Sequence, residues 1–255
     1  MIIVIKKCRF IIAVVLIIAI IACIVVALTA KNSQEASAKP AKLLPIYSVD
    51  CQENYVALSF DAAWGSDKTM QILEILDTYD VKATFFLVGF WVDKYPEMVK
   101  EIHKRGHLIG NHSNTHAHFN SLSYDQMLLE IETTAKKIKD ITGEDVTYFR
   151  APFGEYNNKQ IALLNEKGIK GIQWDVDSLD WKGISGKQIT ANILSKVKKG
   201  SIILCHNNSD HILDALPLVL LGLQNKKLTS IRMDELVIQN DYYIDNNGVQ
   251  RPNAK

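Results

Sequence analysis

Between residues 51 and 241, short apolar runs alternate with stretches whose apolar residues recur every third or fourth position. The runs read as strands over 55–60, 83–88, 108–111, 148–150, 171–176 and 201–205, with a weak last one over 229–233. The stretches between them read as helices. Residues 68–79 place Met70, Ile72, Leu73 and Leu76 on one face, and 96–105 carry Pro96 in the first turn. Ser123 caps a long helix through Ile141 that Gly143 ends, and Gly168 closes another over 158–167. Two more helices follow, over 186–197 and 211–224. Strand–helix alternation predicts an α/β fold with a parallel sheet and crossover helices. Some seven such units suggest a barrel of about seven parallel strands, complete or incomplete, rather than an open sheet, although periodicity alone does not separate the two.

The N-terminus departs from this pattern. Residues 10–30 carry no charge and a single hydroxyl, Thr29. As a helix they would span roughly 30 Å, the thickness of a bilayer core. Lys6, Lys7 and Arg9 precede them, so residues 1–9 are expected to stay cytoplasmic and the remainder to face outward. A cleaved signal peptide is the competing reading, with Ala36-Ser37-Ala38 as its site and a secreted product. That site lies eight residues beyond the apolar run, which favours an uncleaved signal anchor. Residues 31–50, small, polar and charged with two prolines, read as a linker. The globular domain is expected over 51–241, followed by a loose polar tail over 242–255.

Charge narrows the partners. The chain holds 29 Lys plus Arg and 28 Asp plus Glu. Six of the basic residues and one acid lie in 1–42, which leaves 23 basic and 27 acidic residues beyond. A mildly acidic domain without a basic run argues against nucleic acid as a partner. Beyond the anchor the cysteines are Cys51 and Cys205, too few for a disulfide framework. Cys205 sits in an apolar run, which suits a buried free thiol.

Polar residues capable of chemistry follow directly on the strands. Asp61 comes after the first, in SFDAAWG, and His112 and His116 after the third, in GNHSNTH. Arg150 stands in FRAPFG, Asp175, Asp177 and Asp180 in WDVDSLDW, and His206 in ILCHNN. In an α/β barrel the strand C-termini form one rim where catalytic groups converge. Such a set suits metal-assisted hydrolysis. Each member also has a plainer reading. Asp61 could cap a helix, His112 and His116 need a helical or tightly turned segment to share a cation, and Arg150 could sit at the surface. The acids could form a solvated turn, although Trp174 and Trp181 bracket them like a sugar-binding wall. A lone His206 would usually be structural. The order and combination favour the joint reading.

In these motifs the chain resembles the polysaccharide deacetylases, the NodB-homology domain of carbohydrate esterase family 4, over roughly residues 50–240. The resemblance implies a distorted (β/α) barrel that removes N-acetyl groups from a glycan with a divalent metal. It implies Asp61 as catalytic base, His112 and His116 as metal ligands, and Arg150 as the residue that orients Asp61. Pro152 and Phe153 would lie at the substrate, with backbone near Phe153 helping to hold the oxyanion. Asp177 or Asp180 would tune His206, the general acid. Trp181 would line the acetyl pocket and Leu204 would pack on the acetyl methyl.

Ala62 stands where the family's second, metal-binding Asp is expected. The metal, with zinc the expected one, should therefore be weakly held. SFDAAWG and the single anchor look like the PdaB-like sporulation branch. The resemblance thus implies a membrane-anchored de-N-acetylase of cell-wall or spore peptidoglycan. The rival is a wall-glycan binding module, weak or inactive in catalysis, that has lost its metal Asp.

Overall fold

The computed structural model describes residues 16–27 and 42–253. The chain divides into two units, residues 1–42 and 43–255. In the first, residues 16–27 are helical (α1) and exposed throughout. The remainder of the expected span, 10–15 and 28–30, lies outside the described residues, as do the basic start and most of the linker. Among the described residues no helix is long and apolar enough to cross a membrane.

The second unit contains β1 (Ser48–Val49), β2 (Tyr55–Ala62), α2 (Thr69–Thr78), β3 (Thr84–Leu87), α3 (Gly89–Lys94), α4 (Pro96–Lys104), β4 (Leu108–Asn111), α5 (Tyr124–Thr142), β5 (Tyr148–Phe149) and α6 (Asn158–Glu166). It continues with β6 (Lys170–Gly171), β7 (Val176–Asp177), α7 (Gly186–Lys196), β8 (Ile202–His206), α8 (Ile212–Asn225), β9 (Thr229–Ser230), α9 (Met233–Leu236), β10 (Tyr242–Ile244) and β11 (Val249–Pro252). The main sheet runs β6-β5-β4-β3-β2-β8-β7, with β9 also paired to β2. All its pairings are parallel, and it curls into a partial barrel.

Alternation along the strands sorts the side chains. On β2, Val56, Leu58, Phe60 and Ala62 join the apolar cluster that also holds α2 and α8 residues such as Ile72, Leu73, Leu216 and Leu220. Ala57 joins the inner cluster with Phe86, Tyr148, Ile172 and Ile202. Ser59 and Asp61 continue the Ala57 face, so the interior changes from apolar to polar toward the strand C-termini. On β8, Ile203 and Cys205 belong to the outer cluster, while Ile202, Leu204 and His206 alternate with them. Both cysteines of this unit are free thiols, Cys205 buried and Cys51 partly so.

The strand expected over 171–176 is broken because it changes partners. Its start is β6, bonded to β5, and its end is β7, bonded to β8. Between them the chain takes up the N-terminal segment: Ile46 N–H donates to the Gly171 carbonyl at 2.8 Å and Gln173 N–H to the Ile46 carbonyl at 2.7 Å. Val49 N–H then donates to the Gly200 carbonyl at 2.9 Å, beside β8. One run of chain and one added segment thus join the two edges of the sheet.

The tail is not loose. β11 pairs antiparallel with β10 and parallel with β1. The Gln250 side chain is fully buried and bonds both the N–H and the carbonyl of Ile238, at 2.9 and 2.8 Å. Arg251 bonds Asp50 and Asp245 at 2.6 and 2.9 Å. The domain therefore begins before Cys51 and extends past Asp241.

Gly200 sits where the N-terminal segment docks. Its φ of +79° suits glycine, and a Cβ there would run into the Val49 carbonyl oxygen. Gly200→Ala is expected to cost about 2 kcal/mol or more in urea denaturation. Unchanged stability would show that this docking does not brace the sheet.

Candidate active site

Asp61, near the end of β2, is buried with 6% of its surface exposed. Arg150, just past β5, has none exposed and donates from Nη1 to Asp61 Oδ1 at 2.7 Å. Its Nη2 donates to Ser59 Oγ at 2.9 Å and to the Gln173 carbonyl at 3.3 Å. The guanidinium lies over the Phe86 ring at 4.1 Å. A planar, always-charged fork suits such a place. Burial alone would raise the Asp61 pKa. The charges of Arg150, His112 and His206 outweigh it and hold the carboxyl below its usual range.

His112 follows β4. Its Nδ1 lies 2.7 Å from the Arg150 carbonyl, an acceptor, so Nδ1 carries the proton and Nε2 the lone pair. Nε2 faces Asp61 Oδ2 at 3.5 Å. Burial depresses the His112 pKa despite the nearby Asp61 carboxylate. His116 is pushed down to about 4, first by burial and then by the charge of His112. Both rings are therefore neutral near pH 7, with centroids 5.1 Å apart.

A tight turn, not a helix, brings these two rings together. Ser113 and His116 have φ of 69° and 59°. Glu130 of α5 accepts from the Asn114 and Thr115 N–H groups and from Thr115 Oγ1, each at 2.8 Å. Thr134 Oγ1 donates to the Ser113 carbonyl at 2.9 Å and Ser113 Oγ accepts from His116 N–H at 3.0 Å. His118 turns away, pairing with Glu155 at 2.9 Å and stacking on Phe153 with centroids 4.1 Å apart.

His206 ends β8. Register pairs it with Asp61 on the adjacent strand, so the two are neighbours and do not face each other across the rim. Asp180, 1% exposed, accepts from His206 N–H at 2.8 Å and holds Nδ1 at 2.7 Å. Burial would lower the His206 pKa. The Asp180 hydrogen bond and charge, followed by the charges of Asp61 and Asp177, outweigh it and raise the value.

The acidic loop divides its labour. Asp177 accepts from Leu179 N–H at 2.8 Å and shapes the turn, while Asp180 is the residue on His206. Asp175 accepts from Ser201 Oγ and Ile202 N–H, both at 2.9 Å, and ties β7 to β8. Trp174 is no outer wall: it packs in the inner cluster and against Arg150. Trp181 is exposed, at 59%. Pro152 and Leu204 are buried, whereas Phe153 is exposed with φ 60°.

Two lone-pair groups facing each other, His112 Nε2 and Asp61 Oδ2, suit a cation between them, and the neutral His116 adds a second imidazole. Ala62 adds none, being fully buried in the apolar cluster. Among the described residues no group of three or more His, Cys, Asp or Glu side chains is disposed to hold an ion. His112 and His116, with an Asp61 already engaged by Arg150, are the donors this site offers a divalent cation.

Sequence reasoning missed Trp64, 63% exposed and edge-on to His116 at 4.7 Å, and the loop brace Glu130. Trp64 lies three residues past Asp61, a signal available in SFDAAWG. Glu130 left none, because a mid-helix glutamate normally reads as a solvated face.

A family model described as polysaccharide deacetylase matches residues 48–172. The chain is 36% identical over 175 residues to a peptidoglycan-N-acetylglucosamine deacetylase of Bacillus cereus, covering 67% of this chain and 64% of that protein. A crystal structure of a peptidoglycan N-acetylglucosamine deacetylase superposes with a TM-score of 0.73 at 32% identity, covering 75% of this chain and 91% of the other. A CE4 family pseudoenzyme from Bacillus anthracis gives 0.74 at 30% identity, covering 80% of this chain and 71% of the other. A mutant of that pseudoenzyme is described as having restored enzymatic activity.

The Asp180 contact sets a test on His206. Its imidazole should titrate above the ordinary 6.5 in NMR and fall in Asp180→Asn. A pKa raised by folding adds stability that is full below about pH 6.5. That stability is lost as pH rises through the folded-state value. An Asp180→Asn variant with an unshifted His206 would show that Asp180 only positions the ring.

Proposed function

This chain belongs to the polysaccharide deacetylase family, and on that basis we propose that it hydrolyses the N-acetyl amide of an amino sugar in cell-wall or spore peptidoglycan. The observation that carries the reading is the pair of dyads side by side, the buried Arg150–Asp61 and the half-buried Asp180–His206, with Asp61 and His206 on registered neighbouring strands. Binding a sugar needs no such pair; breaking an amide does.

Asp61, kept anionic by Arg150, takes a proton from the water that attacks the acetyl carbonyl carbon. His206, kept protonated by Asp180, gives a proton to the departing nitrogen. The C–N bond breaks, leaving acetate and a free amine. A bound divalent cation, zinc in this reading, would polarise the carbonyl, and His112 and His116 would hold it. Leu204 shares the β8 face with His206 and would meet the acetyl methyl. Trp181 and Phe153 would flank the sugar, with Pro152 beneath the Phe153 turn.

A second reading, a glycan-binding module with little or no turnover, is favoured by Ala62 and by the likeness to a pseudoenzyme. Acetate release from peptidoglycan decides between them. Asp61→Asn and His206→Ala should each cost on the order of 10²–10⁴-fold in rate while glycan binding persists. Wild type that releases no acetate with any divalent metal would establish the binding module, and Asp61→Asn acting at full rate would sink the mechanism.

We further propose that residues 10–30 anchor the domain to the outer face of the cell membrane, in the manner of a sporulation-branch enzyme. Mass spectrometry of the native protein should find the anchor retained. A mature chain beginning at Lys39 would establish secretion.

A further inference from the structure

Gln173 is a polar residue set between Ile172 and Trp174 of the inner cluster, and only 3% of its surface is exposed. Burying an amide is costly unless it is hydrogen-bonded, so its partners account for it. Three of its polar groups go to three parts of the fold. Its N–H donates to the Ile46 carbonyl at 2.7 Å, and its carbonyl accepts from Arg150 Nη2 at 3.3 Å. Its side-chain Nε2 donates to the Gly154 carbonyl at 3.1 Å. The first two bonds are made by the backbone and do not need this side chain. The third does.

What it holds is an unfavourable turn. Phe153 and Gly154 follow each other in the left-handed region, with φ of 60° and 66°. Glycine adopts that region freely. A residue as bulky as phenylalanine stays there only where its surroundings impose it. His118 stacks on the Phe153 ring, and the Trp174 ring lies so close to Gly154 that a Cβ there would sit 3.0 Å from it. Among the described residues, the Gln173 amide is the donor that reaches the backbone of Pro152–Gly154 from elsewhere in the chain. The turn adjoins the reacting groups: it begins two residues after Arg150, and the Phe153 ring lies 4.6 Å from that of His116. Among the described residues the Phe153 N–H has no acceptor. Such an N–H can serve a carbonyl oxygen that gains negative charge, and its worth depends on where it is aimed.

We infer that Gln173 is a positioning residue for the amide hydrolysis: its carboxamide, through the Gly154 carbonyl, fixes the left-handed turn that presents the Phe153 N–H to the acetyl oxygen of the substrate. The inference rests on the deacetylase reading above and adds to it the residue that sets this donor. The backbone of Gln173 meets Arg150 and Ile46, so the turn, the guanidinium and the docked N-terminal segment all take their place from one residue.

Gln173→Met tests it, because methionine keeps the length and bulk of glutamine and lacks the donor. Acetate release by the full chain is followed on the hexamer of β-1,4-linked N-acetylglucosamine with added divalent metal. In Gln173→Met, kcat should fall about 10- to 100-fold, less than outright loss of such a donor, with KM within about twofold. Gln173→Glu, which sets a carboxylate against the Gly154 carbonyl, should cost at least as much. A crystal structure of Gln173→Met should show Phe153 out of its left-handed conformation. An unchanged kcat, or a turn that has not moved, would overturn the assignment. A variant that unfolds at the assay temperature, or whose KM rises in place of the fall in kcat, would make Gln173 merely structural and overturn it as well. Wild type that releases no acetate would remove the deacetylase reading. The crystal structure would then still judge the hold of Gln173 on the turn, a displaced turn upholding it and an unmoved one overturning it.

Discussion

A guanidinium with no surface exposed has to be answered from every side, and the architecture is arranged around the answer that Arg150 receives. β2 supplies Asp61 and Ser59, β3 supplies the Phe86 ring, and the run leaving β6 supplies the Gln173 carbonyl. Arg150 N–H donates to the Asn111 carbonyl at the end of β4, and its own carbonyl fixes His112. Its Nε is left without a partner. Such an ion pair is weak evidence for stability, but removing one member strands a buried charge at a cost of about 3–5 kcal/mol. The pair therefore fixes which strands must meet, and in doing so sets the tautomer of a histidine on a third strand.

Much of this was legible because the informative quantities are local. Alternation on β2 separates the face of Leu58 and Phe60 from that of Ser59 and Asp61, so the end of the apolar run marks the rim. Ser123 and Gly143 bound α5 with a capping box and a left-handed glycine, as their sequence positions promise. What failed was nonlocal. The run 171–176 changes partners midway, and nothing in its own residues records that Ile46 will pair with it. The segment 242–252 is polar, yet β11 finds its partner about two hundred residues upstream. Asp61 and His206 are adjacent because β8 inserts beside β2, an order that chain sequence does not state.

The finer chemistry was legible to the level of a loop and not of a residue. Asp177 and Asp180 sit in the same acidic run, and the left-handed Leu179 between them decides which one faces His206. The same limit applies to the histidine pair, whose approach depends on Glu130 gripping the turn from α5. Ala62 is the reverse case, a single letter whose consequence is chemical: in the proposed reaction, with one carboxylate fewer, Asp61 would have to serve both the water and the cation. An oxygen shared with a cation is less available to a proton, and Arg150 already claims the other.

The pairing of β1 with β11 bears on how the protein is made. Ser48 stands opposite Val249, so this small sheet cannot close until residue 249 has left the ribosome. Contacts so far apart in sequence are also the slowest to find each other. The segment that bridges β6 and β8 belongs to the same stretch as β1, so the barrel seam and the last stitch of the fold mature together. The strands near the two ends of the domain lie side by side, so circular permutation that joins them and opens a surface loop elsewhere would bring β1 and β11 close in sequence, linked as parallel neighbours by a crossover connection.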